Sequence, residues 1–142
     1  MKPETRNSIE VSAGLVFRAG QLLITQRPAG GHLAGLWEFP GGKREPGESF
    51  EACLRRELHE ELGVDVCVHE EIERITHDYP EKSVHLRFFR CTLADATAEP
   101  RAIGCEAVAW VTRETLVNFE FPAADARLLA MLKTADLWWR SA

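Results

Sequence analysis

The sequence has no long apolar segment. Nowhere in its 142 residues does it approach the ~20 consecutive apolar residues that a membrane-spanning helix requires. The first residues, Met1 to Ser8, are polar and lack the apolar stretch of a secretory signal peptide. We therefore expect a protein of the cytoplasm that has no membrane partner.

Positive charge is scarce as well. The chain has 17 Lys and Arg residues against 22 Asp and Glu residues, which gives a formal net charge of −5 at pH 7. Sequence-independent binding to DNA or RNA needs a dense array of basic side chains that displaces counterions. The composition thus argues against a nucleic acid polymer as a partner. A small polyanionic substrate would need local compensation, which a divalent cation held by carboxylates provides.

Cysteine is sparse and scattered. The sequence has no CxxC pair and no Cys/His spacing that is typical of a zinc site. We interpret the cysteines as small, buried apolar residues in a reducing compartment. There are four of them, namely Cys53, Cys67, Cys91 and Cys105.

Short apolar runs predict a sheet. The predicted strands and extended segments are Ile9–Phe17, Leu22–Gln26, Leu36–Phe39, Val66–Thr76, Val84–Leu93 and Ala107–Thr112. The first two would form a hairpin, and six glycines and three prolines predict a loop between residues 27 and 47. Since the chain has no repeat, low-complexity tract or linker, we expect one domain over residues 1–142.

Two segments have the helical period. Ser49 to Leu62 carries a stripe formed by Phe50, Leu54, Leu58 and Leu62, with Ser49 as the N-cap and Gly63 as the stop. Pro122 to about Leu137 carries apolar residues on one broad side, which are Ala124, Leu128, Leu129, Met131 and Leu132. This order of strands and helices predicts an α/β fold with a mixed sheet between helical layers.

The first predicted helix carries three clustered carboxylates. Glu57, Glu60 and Glu61 stand at i, i+3 and i+4, so that they share one side of the helix. Like charges at this spacing repel by a few tenths of a kcal/mol per pair, about 0.2–0.5. Either Arg55, Arg56 or a metal ion would compensate, and a solvated helix face is the simpler interpretation of the three glutamates alone.

The segment before this helix favours the metal. Gly41 to Glu48 is a glycine-rich turn whose backbone can approach a ligand closely, and Glu48 adds a fourth carboxylate near the start of the helix. Mg²⁺ prefers oxygen ligands and usually binds a few carboxylates, waters and the phosphates of its substrate. The two segments together therefore predict a magnesium site for a phosphate-bearing substrate.

The stretch GKREPGESFEACLRRELHEELGV, Gly42–Val64, resembles the Nudix box. The pattern of that box is G, five residues, E, seven residues, REU, one residue, EE, one residue and GU, where U is a bulky apolar residue. Every fixed position is filled at the right interval, by Gly42, Glu48, Arg56, Glu57, Leu58, Glu60, Glu61, Gly63 and Val64. The resemblance implies the family's α/β/α sandwich and the hydrolysis of a phosphoanhydride in a nucleoside di- or triphosphate.

The resemblance also implies roles for individual residues. Glu57, Glu60 and Glu61 would bind Mg²⁺, or Mn²⁺ as the alternative, and the backbone carbonyl near Gly41 or Gly42 would join them. Arg56 would pair with Glu48 or Glu57 and hold the carboxylates in place. For the group that takes the proton of the attacking water, Glu57 is the first candidate and Glu106, at the later strand entry, the second.

The region from Arg27 to Lys43 is similar to the MutT branch of the family. In that branch the residues that correspond to Arg27 and Phe39 face the nucleotide, and Lys43 closes the same segment. The loop that carries Tyr79 lies beside the nucleotide there.

A MutT-like Phe-Pro-x-Ala-Asn run reads the oxidised purine through its asparagine. Here the run is Phe121-Pro122-Ala123-Ala124-Asp125. An ionised aspartate only accepts hydrogen bonds, whereas asparagine both donates and accepts. Asp125 can therefore accept from the N7–H of an oxidised purine, but it cannot donate to O6 while it is ionised.

The MutT resemblance implies a nucleotide-pool sanitiser that serves DNA repair. Its substrate would be 8-oxo-dGTP, cleaved to the nucleoside monophosphate and pyrophosphate, with CTP or dCTP as the nearest alternative. A module that binds nucleotides or a protein without catalysis is a third hypothesis, although such modules usually lose box glutamates and none is lost here. Monomer and homodimer both remain open.

Overall fold

The computed structural model describes residues 7–31 and 33–140. The predictions for residues 1–6, for His32 and for the last two residues of the chain lie outside the described residues. In the part of the chain that is described, no helix is both long and apolar enough to span a membrane.

Strands and helices follow each other in the predicted order. The strands are β1 (Asn7–Arg18), β2 (Gln21–Gln26), β3 (Trp37–Glu38), β4 (Gly41–Lys43), β5 (Val66–Asp78), β6 (Lys82–Leu93) and β7 (Ala107–Val111). The helices are α1 (Phe50–Leu62), α2 (Ala126–Thr134) and α3 (Asp136–Arg140), with short 3₁₀ turns at Leu116–Asn118 and Ala123–Asp125.

The sheet is mixed, as the sequence predicts. Among the described residues, seven strands join in the order β3-β2-β1-β6-β5, with β4 added to β1 and β7 added to β2. Within residues 7–31 and 33–140, only β1 and β6 run parallel, over the long register from Asn7↔Lys82 to Val16↔Cys91. The predicted hairpin of β1 and β2 is confirmed by the pair Phe17↔Leu22. Because β4 and β6 flank β1 on opposite edges, β1 is the centre of the site described below.

Helices cover both faces of the sheet. The α1 side buries Val16, Leu23, Leu54, Leu58, Leu62, Val64, Val66, Phe89, Cys91 and Leu93. The α2 and α3 side buries Ala13, Leu15, Phe17, Leu22, Ile24, Phe39, Phe88, Val111, Leu116, Leu128, Leu132 and Trp139. Neighbours such as Val16 and Phe17 enter opposite clusters because side chains alternate along a strand. The predicted α/β/α sandwich with a mixed sheet is thus confirmed.

The caps of α1 are also confirmed. Ser49 Oγ accepts a hydrogen bond from the backbone N–H of Ala52 at 3.0 Å. Gly63 ends the helix in the left-handed region, at φ 69°, and its N–H donates to the carbonyl of His59. The predicted apolar stripe is correct as well, since Leu54, Leu58 and Leu62 are fully buried.

The predicted loop between residues 27 and 47 contains a strand that the pattern does not show. Gly41–Lys43 pairs antiparallel with β1 through Ser12↔Gly42 and Ala13↔Gly41. A Cβ at Gly41 would lie 1.9 Å from the carbonyl oxygen of Ser12, so only glycine fits this pairing. Glycine has no side chain to contribute to an apolar alternation, and for that reason the strand is missing from the sequence prediction.

The single terminal helix that the sequence predicts is wrong. The segment forms a 3₁₀ turn, then α2, and then α3 after a break at Ala135, whose φ and ψ are −87° and 64°. The break lets Trp139 turn into the core, where its ring packs edge-on against Phe17 at 5.3 Å. Its Nε1–H donates to the carbonyl of Leu132 at 2.9 Å.

The prediction that all cysteines are buried is wrong for Cys67. Cys53 and Cys91 are buried and Cys105 is half-buried, but Cys67 is exposed. Val66 and Val68 pack towards α1, and alternation along β5 therefore turns Cys67 to the opposite face. Apolar character alone does not show which face of an edge strand is covered.

Candidate active site

Glu57 lies against the backbone of β4. A Cβ built on Gly42 would come within 2.2 Å of the carboxyl carbon of Glu57, so the two can approach only because residue 42 is glycine. The thiol of Cys53, one turn earlier on α1, donates to the Gly42 carbonyl at 3.5 Å. Helix α1 and strand β4 are therefore packed together at the position where the sequence predicts a metal site.

Arg56 joins the carboxylates of this region. Its Nε and Nη2 donate to the two oxygens of Glu48 at 3.1 and 2.7 Å, which is a bidentate pair. Its Nη1 donates to Glu57 and to Glu60, in each case at 3.2 Å. Nη2 also reaches the carbonyl of Lys43 at 3.0 Å. Arg56 thus contacts both partners that the resemblance implies, and Glu60 in addition.

We refer to Glu48, Glu57, Glu60 and Glu61 as the glutamate cluster. The hydrogen bond from Arg56, together with the backbone N–H of Glu45, lowers the pKa of Glu48 to about 2. Burial raises the pKa of Glu57 against the opposing effect of Arg56. Burial, followed by the charges of Glu57, Glu38 and Glu60, raises the pKa of Glu61 to about 7. Burial therefore disfavours the ionised forms of Glu57 and Glu61, whereas Arg56 stabilises the ionised form of Glu48.

The segment between β6 and β7 holds the last turn of α1. The backbone N–H groups of Ile103 and Gly104 both donate to the carbonyl of Glu61, at 3.1 and 3.0 Å, and that of Arg101 donates to Leu62 at 2.9 Å. A Cβ on Gly104 would lie 3.0 Å from Cγ of Glu61. Gly104 is a residue that the sequence analysis missed, since a glycine in an irregular stretch gives no signal of what it touches.

The donor set fits a hard divalent cation. All side chains of the cluster offer oxygen, the ligand type that Mg²⁺ prefers, and burial raises the pKa of both Glu57 and Glu61 in spite of nearby arginines, so a cation would stabilise their ionised forms. As they are placed, however, no group of three His, Cys, Asp or Glu side chains within residues 7–31 and 33–140 is arranged to hold a metal ion. Arg56 lies between Glu48, Glu57 and Glu60 instead, which explains this disagreement with the chemistry of the donors.

The comparison with known families decides the identity of this fold and cluster. The family described as the NUDIX domain matches residues 12–131, which includes the whole box, the second half of β1 and most of α2.

The chain belongs to the Nudix family.

Similar proteins come from the MutT-like part of the Nudix family. A CTP pyrophosphohydrolase of Escherichia coli (strain K12) is 37% identical over 121 residues, which cover 85% of this chain and 88% of that protein. An 8-oxo-dGTP diphosphatase of Haemophilus influenzae is 37% identical over 125 residues, which cover 87% and 90%. The solution structure of the E. coli ORF135 protein is similar with a TM-score of 0.77 at 35% identity, over 92% of this chain and 94% of that one.

These findings confirm the predicted family, fold and enzyme class. The chain is a MutT-like Nudix hydrolase. Nudix hydrolases generally use divalent metal ions, and the Nudix nucleotide hydrolases act on small-molecule nucleotides.

The residues predicted to face the nucleotide lie around Glu38 of β3. Arg27 donates to Glu38 at 2.8 Å. Phe39 is buried and packs on Phe88 at 6.1 Å and on Phe121 at 5.0 Å, so it is part of the core in this Nudix fold. Asp125 is only 7% exposed.

Glu38 is the second residue that the sequence analysis missed. Burial raises its pKa in spite of the nearby Arg27. Burial and then the charge of Glu38 raise the pKa of Asp125 to about 6. Since Glu38 also acts on Glu61, it connects the glutamate cluster electrostatically with Asp125. The only feature of the sequence that sets Glu38 apart is its position between two aromatic residues, Trp37 and Phe39.

Three predicted site residues lie at the periphery. The side chain of Lys43 is exposed, and only its carbonyl contacts the cluster, through Arg56. Tyr79 is half-buried in the turn between β5 and β6, where its ring packs edge-on against His77 at 4.5 Å. Glu106 is exposed, and its backbone N–H donates to Gln26 at 2.9 Å immediately before β7. Their predicted roles remain predictions.

Proposed function

We propose that this protein hydrolyses a nucleoside triphosphate to the nucleoside monophosphate and pyrophosphate with Mg²⁺, and with Mn²⁺ as the alternative. The observation that carries the proposal is the glutamate cluster itself. Its four carboxylates are complete, Arg56 joins three of them, and Glu57 lies against Gly42. Modules that bind nucleotides without catalysis usually lose box glutamates, and none is lost here.

Each part of the cluster receives a role under this proposal. Glu57, Glu60 and Glu61 would hold the cation together with the carbonyl of Gly42. When bound, such a cation neutralises phosphate charge and lowers the pKa of a water molecule. Arg56 keeps the carboxylates in place through its contacts with Glu48 and Glu57.

The proton of the attacking water needs an acceptor near the cluster. Glu57 is our first candidate because it is half-buried against β4, next to Gly42. Glu106 is the second, because it follows Cys105 directly, and the charges of both Glu61 and Glu106 act on the thiol of Cys105. Loss of activity in Glu57→Gln but not in Glu106→Gln would select Glu57, and the reverse pattern would select Glu106.

For the base, we propose 8-oxo-dGTP as the leading substrate. Relatives named 8-oxo-dGTP diphosphatase are 28% to 39% identical to this chain over the matched residues. Asp125 and Glu38 offer carboxylate acceptors in a buried region, and an oxidised guanine presents several N–H donors, including N7–H. Arg27, Phe39, Lys43 and Tyr79 would complete the nucleotide-binding region.

CTP or dCTP is the second candidate. A relative named CTP pyrophosphohydrolase is 37% identical over most of the chain. The carboxylate of Asp125 can accept a hydrogen bond from the exocyclic amine of cytosine. It would repel the carbonyl oxygen that a pyrimidine without that amine carries at the same position. The presence of aspartate where MutT-like enzymes carry asparagine favours this candidate.

A substrate panel tests the proposal. We expect kcat/KM with Mg²⁺ to be highest for 8-oxo-dGTP among 8-oxo-dGTP, dGTP, CTP, dCTP, ADP-ribose and diadenosine tetraphosphate. A lead for CTP or dCTP would keep the reaction and change the base. Absence of turnover for the whole panel would overturn the proposal in favour of a binding module.

Asp125→Asn tests the base contact. If Asp125 contacts the base, the asparagine should raise the ratio of kcat/KM for 8-oxo-dGTP over dGTP, because the amide adds a donor for the purine O6. Asp95→Asn is a matched control on the surface. An unchanged ratio in Asp125→Asn would remove Asp125 from the base contact.

The site of attack is tested by hydrolysis in ¹⁸O-labelled water. We propose substitution at the β-phosphorus, which places the label in pyrophosphate. Label in the monophosphate would contradict it. We further propose that residues 1–142 act as one domain in the cytoplasm on a nucleotide, without a nucleic acid polymer or membrane as partner, and as a monomer or homodimer.

A further inference from the structure

A hollow of about 280 Å³ lies on the α1 side of the sheet, beyond the first residue of the helix. Ser12 marks the limit of the helix, since its hydroxyl donates to the carbonyl of Phe50 at 2.7 Å. Past this point β1 continues back to Asn7 and stays paired with β6 as far as Lys82. The side chains that line the hollow and carry the argument are Glu10, Phe50, Arg74, Thr76, His85 and Arg87.

The strand register brings the two arginines of the hollow side by side. Arg74 of β5 pairs with Arg87 of β6, and Thr76 pairs with His85 one step further along. Thr76 Oγ1 and His85 Nδ1 are 3.1 Å apart, which leaves the second ring nitrogen of His85 for another contact. Guanidinium, hydroxyl and imidazole groups therefore share one surface.

Positive charge exceeds negative charge around the hollow. Glu71 is shared, because it accepts from Arg87 Nε at 3.0 Å and from Arg74 Nη2 at 3.2 Å. Glu10 pairs with Arg44. Three guanidinium groups thus face two carboxylates, in a chain whose formal net charge is −5.

Both lining arginines have N–H donors that are not used. Arg74 and Arg87 each contact Glu71 through Nε and Nη2. Within the described part of the chain, their Nη1 groups make no hydrogen bond. Arg87 is also held in place, because its guanidinium stacks over the ring of Phe50 at 4.1 Å. A guanidinium that is fixed and only partly used is preorganised for an oxyanion.

We propose that this hollow binds a phosphate group, either as free phosphate or pyrophosphate or as the phosphate of a nucleotide. A tetrahedral phosphate offers at least three acceptors, enough for Arg74 and Arg87 together. Phe50, Ile75 and Leu86 add apolar surface to the lining, but the guanidinium donors of Arg74 and Arg87 favour an anion over an apolar ligand or a cation. Glu10 would repel the anion, but Arg44 pairs with it, and the anion would bind at the Arg74 and Arg87 end.

The site is separate from the glutamate cluster. Gly42, against which Glu57 lies, belongs to β4 on one edge of β1, whereas the two arginines of the hollow, Arg74 and Arg87, belong to β5 and β6 beyond the other edge. Binding there requires no divalent cation and no turnover. The proposal therefore does not depend on the proposed function.

The test is an NMR titration of the ¹⁵N-labelled full chain with pyrophosphate in the presence of EDTA. We expect saturable shifts at the backbone amides of Arg74, Thr76 and Arg87. Arg74→Gln should weaken binding about tenfold, the loss of one charge-assisted contact. Arg74 is 67% exposed, so its removal leaves the core intact. Arg127→Gln is the matched control, because Arg127 is 71% exposed and pairs with Glu73 outside the hollow.

Two further titrations identify the source of the phosphate. Saturation with orthophosphate would support a site for free phosphate, and saturation only with a nucleoside monophosphate would support a nucleotide site. Shifts that spread over the surface, grow linearly with concentration and match those from sodium chloride at equal ionic strength would overturn the proposal. Equal affinity in Arg74→Gln and the unchanged protein would overturn it as well.

Discussion

The guanidinium of Arg56 joins three glutamates and the carbonyl of Lys43. A lysine keeps the charge at this position, but its single ammonium cannot bind both oxygens of Glu48 and reach Glu57 at the same time. We expect Arg56→Lys to lower kcat by about 10- to 100-fold with the fold retained. Arg55→Lys, at the exposed neighbouring residue, is the control. Equal losses in both variants would refute the role of Arg56, and the measurement is steady-state kinetics with Mg²⁺.

Glu60 is the most exposed member of the cluster that Arg56 contacts, with 57% of its side chain accessible. Its i,i+4 pair with Arg56 contributes only about 0.3–0.5 kcal/mol to stability. We expect Glu60→Gln to leave thermal unfolding nearly unchanged and to lower kcat by at least ~10²-fold, because a catalytic metal supplies several kcal/mol. Glu114→Gln, at an exposed position away from α1, should retain full activity. Full activity in Glu60→Gln would refute the proposed metal site.

The buried carboxylate of Asp125 destabilises the folded protein at neutral pH. Burial and the charge of Glu38 raise its pKa from 3.8 to about 6 in the folded protein. A carboxyl group whose pKa rises on folding contributes stability that is complete below the unfolded value and lost as pH rises through the folded value.

We therefore expect Asp125→Asn to stabilise the protein at pH 8 by about 2 to 3 kcal/mol. The gain should shrink between pH 6 and pH 4 and vanish near pH 3.5, where both forms of residue 125 are neutral. Urea unfolding at pH 8, 6, 4 and 3.5 measures this gain. A gain that does not vary with pH would show that the carboxylate is not destabilised in the folded protein.

At the scale of elements, the segment that precedes β7 supports the last turn of α1. Two N–H groups from this segment converge on the carbonyl of Glu61, and a Cβ at Gly104 would lie only 3.0 Å from Cγ of that side chain. A methyl group at residue 104 would displace Glu61 by a few tenths of an ångström without entering the core.

We expect Gly104→Ala to lower kcat at least about tenfold while KM stays nearly constant, since small displacements at a catalytic group are costly. Ala102→Ser, at an exposed residue of the same segment, is the control. A loss of thermal stability that accounts for the lost activity would instead assign Gly104 a purely structural role.

Helix α1 could be predicted from sequence almost completely, whereas β4 could not. The helix has its own signals, namely an N-cap at Ser49, a regular stripe and a stop at Gly63. Strand β4 consists of Gly-Gly-Lys and exists only because β1 supplies its partner. The sequence does not indicate the break at Ala135 either. The break is stabilised by the contact of Trp139 with Phe17, a residue far away in the sequence.

At the scale of the whole molecule, two core clusters on opposite faces of the sheet hold the fold, and the glutamate cluster belongs to neither of them. We expect EDTA to abolish hydrolysis while the far-UV circular dichroism spectrum stays unchanged, because no core residue depends on the metal. Mg²⁺ should restore activity, and Mn²⁺ is the alternative ion to compare. Unfolding in EDTA would mean that the metal is structural, and undiminished activity in EDTA would refute the metal requirement.

The chemistry of the candidate site was determined by local sequence. The spacing of Glu57, Glu60 and Glu61 places them on one side of a helix whatever surrounds it, since the helical period depends only on the backbone. The box pattern from Gly42 to Val64 carries the family in the same local way.

Contacts between segments that are far apart in the sequence were decided only by the tertiary structure. The charge of Glu38 acts on Asp125, and Gly104 lies against the side chain of Glu61, although each pair is far apart in the sequence. The residues that make such contacts follow no periodic pattern and no fixed spacing in the sequence. The contacts follow from the packing of the complete sheet and its helices, which no local pattern contains.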